Sequence, residues 1–338
     1  MRIIKSFLVT TSIAGMSLAA FATASQAEPV TLKMAHWLPP LNHMSFTAKN
    51  WAQSVEAASG GSLKIVLDKS ALAKPPGQYD LSKNGIRDIS WGVAGYTPGL
   101  MQLYRMAEVP FATPDAETGS PGLVSWYMKH GFQNIEFKGT HFLTGWVHGP
   151  GLLHSKKKIT TLEDLKGVKI RVGGGGVLIA KSLGAVPVAM SAPKAHESLQ
   201  RGTTDAAFFP WEAVKGFKLV KLAKHHLVIP GGLYTTSFWL TMNKKKFAGL
   251  PAKARNALSA MGGVTGARVI GRRWDDADKA GKELAIKNGN TITPISGSEN
   301  KRWAKAVQII KDNWIAKANK MGQNGKALME ELLAMMKG

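Results

Sequence analysis

A chain of 338 residues that contains no cysteine must hold its fold on a hydrophobic core, which excludes a small disulfide-stapled secreted domain. Its 44 Lys and Arg against 22 Asp and Glu give a formal charge of +22. That field draws anions at long range and suits a nucleic-acid binder, an envelope protein on anionic polymer, or a receptor for acidic solutes. The basic residues are spread along the chain, and their densest groups, Lys156-Lys157-Lys158 and Lys244-Lys245-Lys246, stand beside turns; this argues against nucleic acid as the partner.

The chain opens with a basic start (Arg2, Lys5), an apolar stretch from Ile13 to Ala24 and small residues before Glu28. That layout predicts a secretory signal peptide over residues 1–27, cleaved after Ala27, and an exported protein. No later run is apolar and long enough to span a bilayer.

After this leader, Val30 to Ala35 alternates as a strand and Pro39-Pro40 stops it. His43 to Ala58 carries Met44, Phe46, Ala48, Trp51, Ala52 and Val55 at near-helical spacing, and Gly60-Gly61 ends it. Ser62 to Leu67 is the next strand, Tyr79 to Asn84 a short helix, and Asp88 to Val93 a buried strand that enters a glycine- and proline-rich turn. The same order returns with Thr140 to Val147 extended, a short helix over Thr161 to Leu165, a strand over Val168 to Val172 and a helix over Val177 to Leu183. Val186 to Val188 and Ala206 to Phe209 are further strands around a helix at Pro193 to Gln200, and from Pro251 the chain is largely helical. Such alternation predicts α/β architecture with parallel sheets, in which ligands bind at the carboxyl ends of strands.

Arg171 stands near the end of one such strand, just before Gly173 to Gly176. Glycines allow a ligand to approach the backbone closely, and a guanidinium matches a carboxylate with two parallel charge-assisted hydrogen bonds. The pattern therefore suggests recognition of an organic acid; pairing with a surface aspartate is the competing reading. Chemistry upon the acid has no visible machinery. There is no H-E-x-x-H, no cysteine ligand and no Gly-x-Ser-x-Gly nucleophile turn, and the glycine run lacks the Gly-Lys-Ser/Thr and G-x-G-x-x-G spacings of phosphate and dinucleotide sites. We expect no enzyme, no metal and no cofactor.

Four segments carry a family resemblance: Lys33-Met34-Ala35-His36-Trp37, Asp88-Ile89-Ser90-Trp91-Gly92 with Gly95-Tyr96-Thr97-Pro98-Gly99, Asp164 to Arg171, and Leu199 to Asp205. With these the chain resembles, over nearly its whole mature length, the extracytoplasmic solute receptors of tripartite ATP-independent periplasmic (TRAP) transporters. The resemblance implies a two-lobed periplasmic-binding-protein fold with crossing strands and a long connecting helix, with lobes over 28–148 plus 237–276 and over 149–236 plus 277–338. It also implies a periplasmic location, a small organic acid as ligand, a TRAP membrane permease as partner, mostly monomeric relatives, and Arg171 as the clamp on the ligand carboxylate.

One departure bears on specificity. Many relatives have an asparagine just before the proline where this chain has Phe209, so an amide donor is replaced by a flat apolar surface. The expected ligand is a monocarboxylate with an apolar or aromatic body; a dicarboxylate, or a cyclic zwitterion whose positive end Glu212 would balance, is the alternative. Trp37, Trp91, Tyr96, Trp146, Phe209, Trp211 and Trp239 sit at or beyond strand ends where they would wall a cleft, Trp37, Phe209 and Trp211 foremost. Core packing is the competing role for each ring, and an interlobe or hinge contact for Glu212. A different class of function stays open: a basic envelope protein that binds anionic polymer, recognisable by a steep salt dependence.

Overall fold

The structure is a computed structural model that describes residues 28–97 and 99–338; the expected signal peptide lies outside the described residues. In chain order the first part forms β1 (Val30–Met34), α1 (His43–Ala58), β2 (Leu63–Leu67), α2 (Gln78–Lys83), β3 (Ile89–Val93), α3 (Ala116–Lys129), α4 (Gln133–Glu136) and β4 (Thr140–Val147). The middle forms β5 (Leu152–Ser155), β6 (Lys169–Val172), α5 (Gly176–Ser182), β7 (Val186–Ala189), α6 (Ala195–Gln200), β8 (Ala206–Phe209), α7 (Glu212–Gly216) and β9 (His225–Val228). The last part forms β10 (Ser237–Asn243), α8 (Lys244–Ala248), α9 (Ala252–Ala260), α10 (Gly263–Lys287), β11 (Thr291–Pro294), α11 (Gly297–Lys320) and α12 (Gly325–Lys337).

Local chemistry explains the elements that matter for the site. Asn42 caps α1 by accepting from Met44 N at 3.0 Å. Met44, Ala48, Trp51, Ala52 and Val55 then bury one face of that helix against the first sheet. Each large side chain so buried contributes about 1.5 to 3 kcal/mol. In β1 the alternation is plain: Thr31 and Lys33 are exposed, Leu32 and Met34 buried.

Two sheets result. The first has the order β2-β1-β3-β10-β4 and the second β11-β9-β5-β8-β6-β7. The expectation of parallel sheets needs correction, because β10 runs antiparallel to both β3 and β4, and β5 antiparallel to both β8 and β9. The two strands are reached by chain that crosses from the other sheet. The two crossing segments run side by side, with Gly151 N donating to Tyr234 O and Leu233 N to Gly151 O, each at 2.9 Å.

Helix α10 makes the third crossing. At 25 residues it is about 37 Å long. Small residues bring it against both halves of the molecule: a Cβ on Gly271 would meet Ala116 O at 2.3 Å, and one on Gly281 would meet Trp211 O at 2.0 Å. Between these glycines two carboxylates satisfy the free N–H groups of other helices. Asp275 accepts from Ala116 N (2.9 Å) and Glu117 N (2.8 Å) at the start of α3, and Asp278 accepts from Glu212 N (2.7 Å) at the start of α7. The C-terminal α12, expected with the second lobe, instead lies on α3, where Gly122 admits the backbone of Met335 and Met336.

Candidate ligand-binding cavity

The carboxyl ends of β1, β3, β6 and β8 converge, with β10 and α10, on a cavity of about 570 Å³ counting the part open to solvent. Its walls come from both sheets. Trp37 follows β1, Trp91 lies in β3 and Tyr96 follows it, Arg171 and Phe209 lie at the carboxyl ends of β6 and β8, and Tyr234, Phe238 and Trp274 come from the crossing segment, β10 and α10.

Arg171 is 2 % exposed. Its Nη1 donates to Phe208 O at 3.3 Å, and its Nη2 to Met190 O at 2.9 Å and Tyr96 Oη at 3.4 Å. None of these acceptors is a carboxylate, so the competing reading of a surface ion pair does not describe this arginine. Its Nε is buried without a protein partner. A buried charge left without a counter-charge is costly, and an anion in the cavity relieves that cost. Gly173 keeps the approach open, since a Cβ there would stand 3.3 Å from Nη2. Tyr96 Oη also accepts from Ala192 N at 2.9 Å.

The rings form the apolar part. The guanidinium carbon lies 4.1 Å from the centre of the Phe209 ring, a cation–π contact. Trp37 packs 4.8 Å from Trp91 and donates through Nε1 to Trp91 O at 3.2 Å. Trp274 contacts Phe238 at 4.8 Å and meets His43 edge-on at 4.6 Å.

Electrostatically the cavity carries one permanent cation, Arg171, among its lining residues. His43 and His148 also line it, and burial lowers their pKa values to about 3 and about 4, so both are neutral at pH 7. Burial, reinforced by Asp278, pushes the Glu212 carboxyl well above the usual carboxylate range, with Arg171 acting in the opposite direction. Among the described residues no group of three or more His, Cys, Asp or Glu is placed to hold a metal ion.

Six of the side chains expected from sequence meet here: Arg171, Phe209, Trp37, Trp91, Tyr96 and Glu212. Three do not. Trp239 follows Phe238 in β10 and so points to the other face of the sheet, against Tyr79 at 5.6 Å. Trp146 lies in the core behind the wall, stacked on Phe238 at 5.5 Å. Trp211 turns away between Pro210 and Glu212 and packs on His154 and His226 at 5.5 and 4.9 Å. The sequence reasoning missed His43, His148, Tyr234, Phe238 and Trp274. For Trp274 a signal existed, because Gly271, Trp274, Asp278 and Gly281 share one face of a helix.

Residues 34–318 match the family described as bacterial extracellular solute-binding protein, family 7 (DctP). The chain belongs to this family. It is a TRAP-type extracytoplasmic solute receptor, and the family and its structural neighbours are solute-binding receptors rather than enzymes. The chain is 28 % identical to the outer membrane transporter protein TsaT of Comamonas testosteroni, over 93 % of this chain and 94 % of that one. A TRAP solute-binding protein from Rhodoferax ferrireducens, in complex with copurified benzoate, superposes with a TM-score of 0.85 at 31 % identity, over 91 % of this chain and 97 % of that one. One from Bordetella bronchiseptica, with bound (R)- and (S)-mandelate, superposes with a TM-score of 0.87 at 29 % identity, over 91 % and 99 %. Members of the family are periplasmic, and no described helix here is long and apolar enough to cross a membrane.

Proposed function

We propose that this receptor binds an aromatic monocarboxylate in the periplasm and presents it to a TRAP membrane permease. The observation that carries the reading is the buried Arg171, whose Nε has no protein partner and which stands in a cavity lined by many aromatic rings. One fixed cation balances one carboxylate. A second carboxylate would meet no second permanent cation among the lining residues and would have to be buried near Glu212, whose own carboxyl burial pushes well above the usual carboxylate range. The benzoate and mandelate held by the two solved relatives support the same ligand class. In this reading Arg171 takes the carboxylate, Phe209, Trp37 and Tyr96 enclose the ring, and the two sheets act as lobes of a monomer that closes on the ligand.

The test is a thermal-shift screen followed by calorimetry on the protein lacking residues 1–27. Benzoate, mandelate and phenylacetate are expected to give saturable one-to-one binding and concentration-dependent stabilisation. Succinate and cyclic zwitterions are expected to give little. Stabilisation by polyanions alone, with a steep salt dependence, would overturn the proposal in favour of a charge-driven envelope protein.

A further inference from the structure

Three more buried polar atoms that lack a protein partner line the same cavity, away from β6: Asn42 Nδ2, His43 Nδ1 and Glu212 Oε2. They come from the start of α1 and the start of α7, and Asn42 and Glu212 are 2 % and 5 % exposed. The amide orientation of Asn42 is fixed, because its Oδ1 accepts from Met44 N in capping α1, which turns the two N–H donors of Nδ2 the other way. His43 Nε2 stands 3.5 Å from Glu212 Oε2. A Cβ on Gly216 would fall 2.7 Å from Glu212 Oε2 and 3.0 Å from Asn42 Nδ2, so these two atoms lie close to each other. Unpartnered buried polar atoms are uncommon in folded proteins, and three in one wall of a ligand cavity call for a partner.

We propose that Asn42, His43 and Glu212 form a second polar subsite that recognises a hydroxyl substituent on the body of the bound acid. The inference rests on the aromatic-acid reading given above and adds a specificity to it. Charge selects the substituent. Burial lowers the His43 pKa to about 3 and pushes the Glu212 carboxyl well above the usual carboxylate range; both shifts favour the neutral form, in which the wall offers donors and acceptors without net charge. A hydroxyl both donates and accepts and is neutral itself. An ammonium would require Glu212 to ionise in a buried place beside Asp278, and a carboxylate would meet no cation there.

The experiment compares affinities for phenylacetate and its ortho-, meta- and para-hydroxy isomers by calorimetry, in the wild-type receptor and in variants. At least one isomer is expected to bind about tenfold tighter than phenylacetate, as a buried hydrogen bond supplies. Glu212→Leu should bring that ratio close to one, and Glu212→Gln, a neutral group that still donates and accepts, should largely retain it. Asn42→Ser, which keeps a capping oxygen but removes the amide donor, should lower the ratio. Phenylacetate binding with no isomer preferred would overturn the subsite and leave the aromatic-acid reading standing. A ratio that Glu212→Leu leaves unchanged would overturn it too. Failure of every aromatic acid to bind would overturn the reading itself.

Discussion

The guanidinium of Arg171 lies over the face of Phe209, 4.1 Å from its ring centre, while its Nη1 donates to the carbonyl of the preceding Phe208. The strand β8 thus fixes the plane of the arginine by its backbone and covers it with its last side chain. Arg171→Ala is expected to weaken binding of an aromatic carboxylate by about 2 to 5 kcal/mol, since the carboxylate is left desolvated and unpaired. Arg171→Lys should recover only part of this, because an ammonium neither forks nor stacks as a guanidinium does. Calorimetry on both variants checks the assignment.

Phe209→Asn replaces the ring with an amide and should move preference toward more polar acids. Affinity for an aromatic acid should fall by about 1 to 3 kcal/mol, the scale of one buried phenyl contact, while a dicarboxylate gains relative to it. The ratio of the two dissociation constants is the measurement.

Gly95 and Gly174, which follow β3 and β6 in different sheets, approach backbone to backbone. A Cβ on Gly95 would fall 2.9 Å from the Gly174 Cα, and one on Gly174 would fall 2.7 Å from the Gly95 Cα. No rotamer change relieves a clash with main chain. Gly174→Ala should therefore hold the halves apart, weakening ligand binding by tenfold or so (about 1.4 kcal/mol) and raising the radius of gyration of the liganded protein in small-angle scattering.

Stability should peak near neutral pH. His154 Nδ1 and His226 Nδ1 are 2.7 Å apart; Asn290 Nδ2 faces His226 Nε2 at 3.0 Å, and His154 Nε2 faces Phe209 O at 3.1 Å. One tautomer set satisfies this chain with both rings neutral: Asn290 donates to His226, His226 to His154, and His154 to Phe209 O. Burial lowers the folded pKa values to about 4 for His154 and about 3 for His226, as it does for His43 and His148. The unfolded chain then binds more protons between these values and 6.5, so stability falls as pH drops through that window, by up to about 1.4 kcal/mol per pH unit for each independent ring. Thermal melts should decline steeply from pH 6.5 to 4.

Buried Asp278 acts in the other direction. Its pKa is raised, burial being the main cause, so its contribution is fully present below the unfolded value and is lost as pH rises through the folded one. Asp278→Asn keeps an oxygen for Glu212 N and removes the titration. Melts of the variant should exceed wild type at pH 8 and approach it at pH 4.

Where a segment has one buried and one solvated face, the sequence displays it. Helix α1 could be read to the residue because its apolar spacing and the Gly60-Gly61 stop agree, and Arg171 and Phe209 could be placed because short strands between turns locate their own ends. β10 escaped notice for the opposite reason: Ser237 to Met242 is buried on both faces and shows no alternation. In α3, Gly119, Pro121 and Gly122 resemble helix breakers, yet Gly119 and Gly122 sit where Thr113, Val147 and Met335 press closest. Trp211 differs from Glu212 beside it only in the direction it takes from one turn, which tertiary packing decides.

Asp275 and Asp278 stand within one turn of α10, and each ties that turn to a different half of the molecule. The turn is an axle. Relative movement of the halves that preserves both ties is a rotation about it, in which displacement grows with distance from the helix. The lever is set by two carboxylates three positions apart, and it is not independent of the solute: Asp278 holds the backbone of Glu212, which lines the cavity, so a change at Asp278 bears both on the axis of rotation and on the wall that faces the ligand.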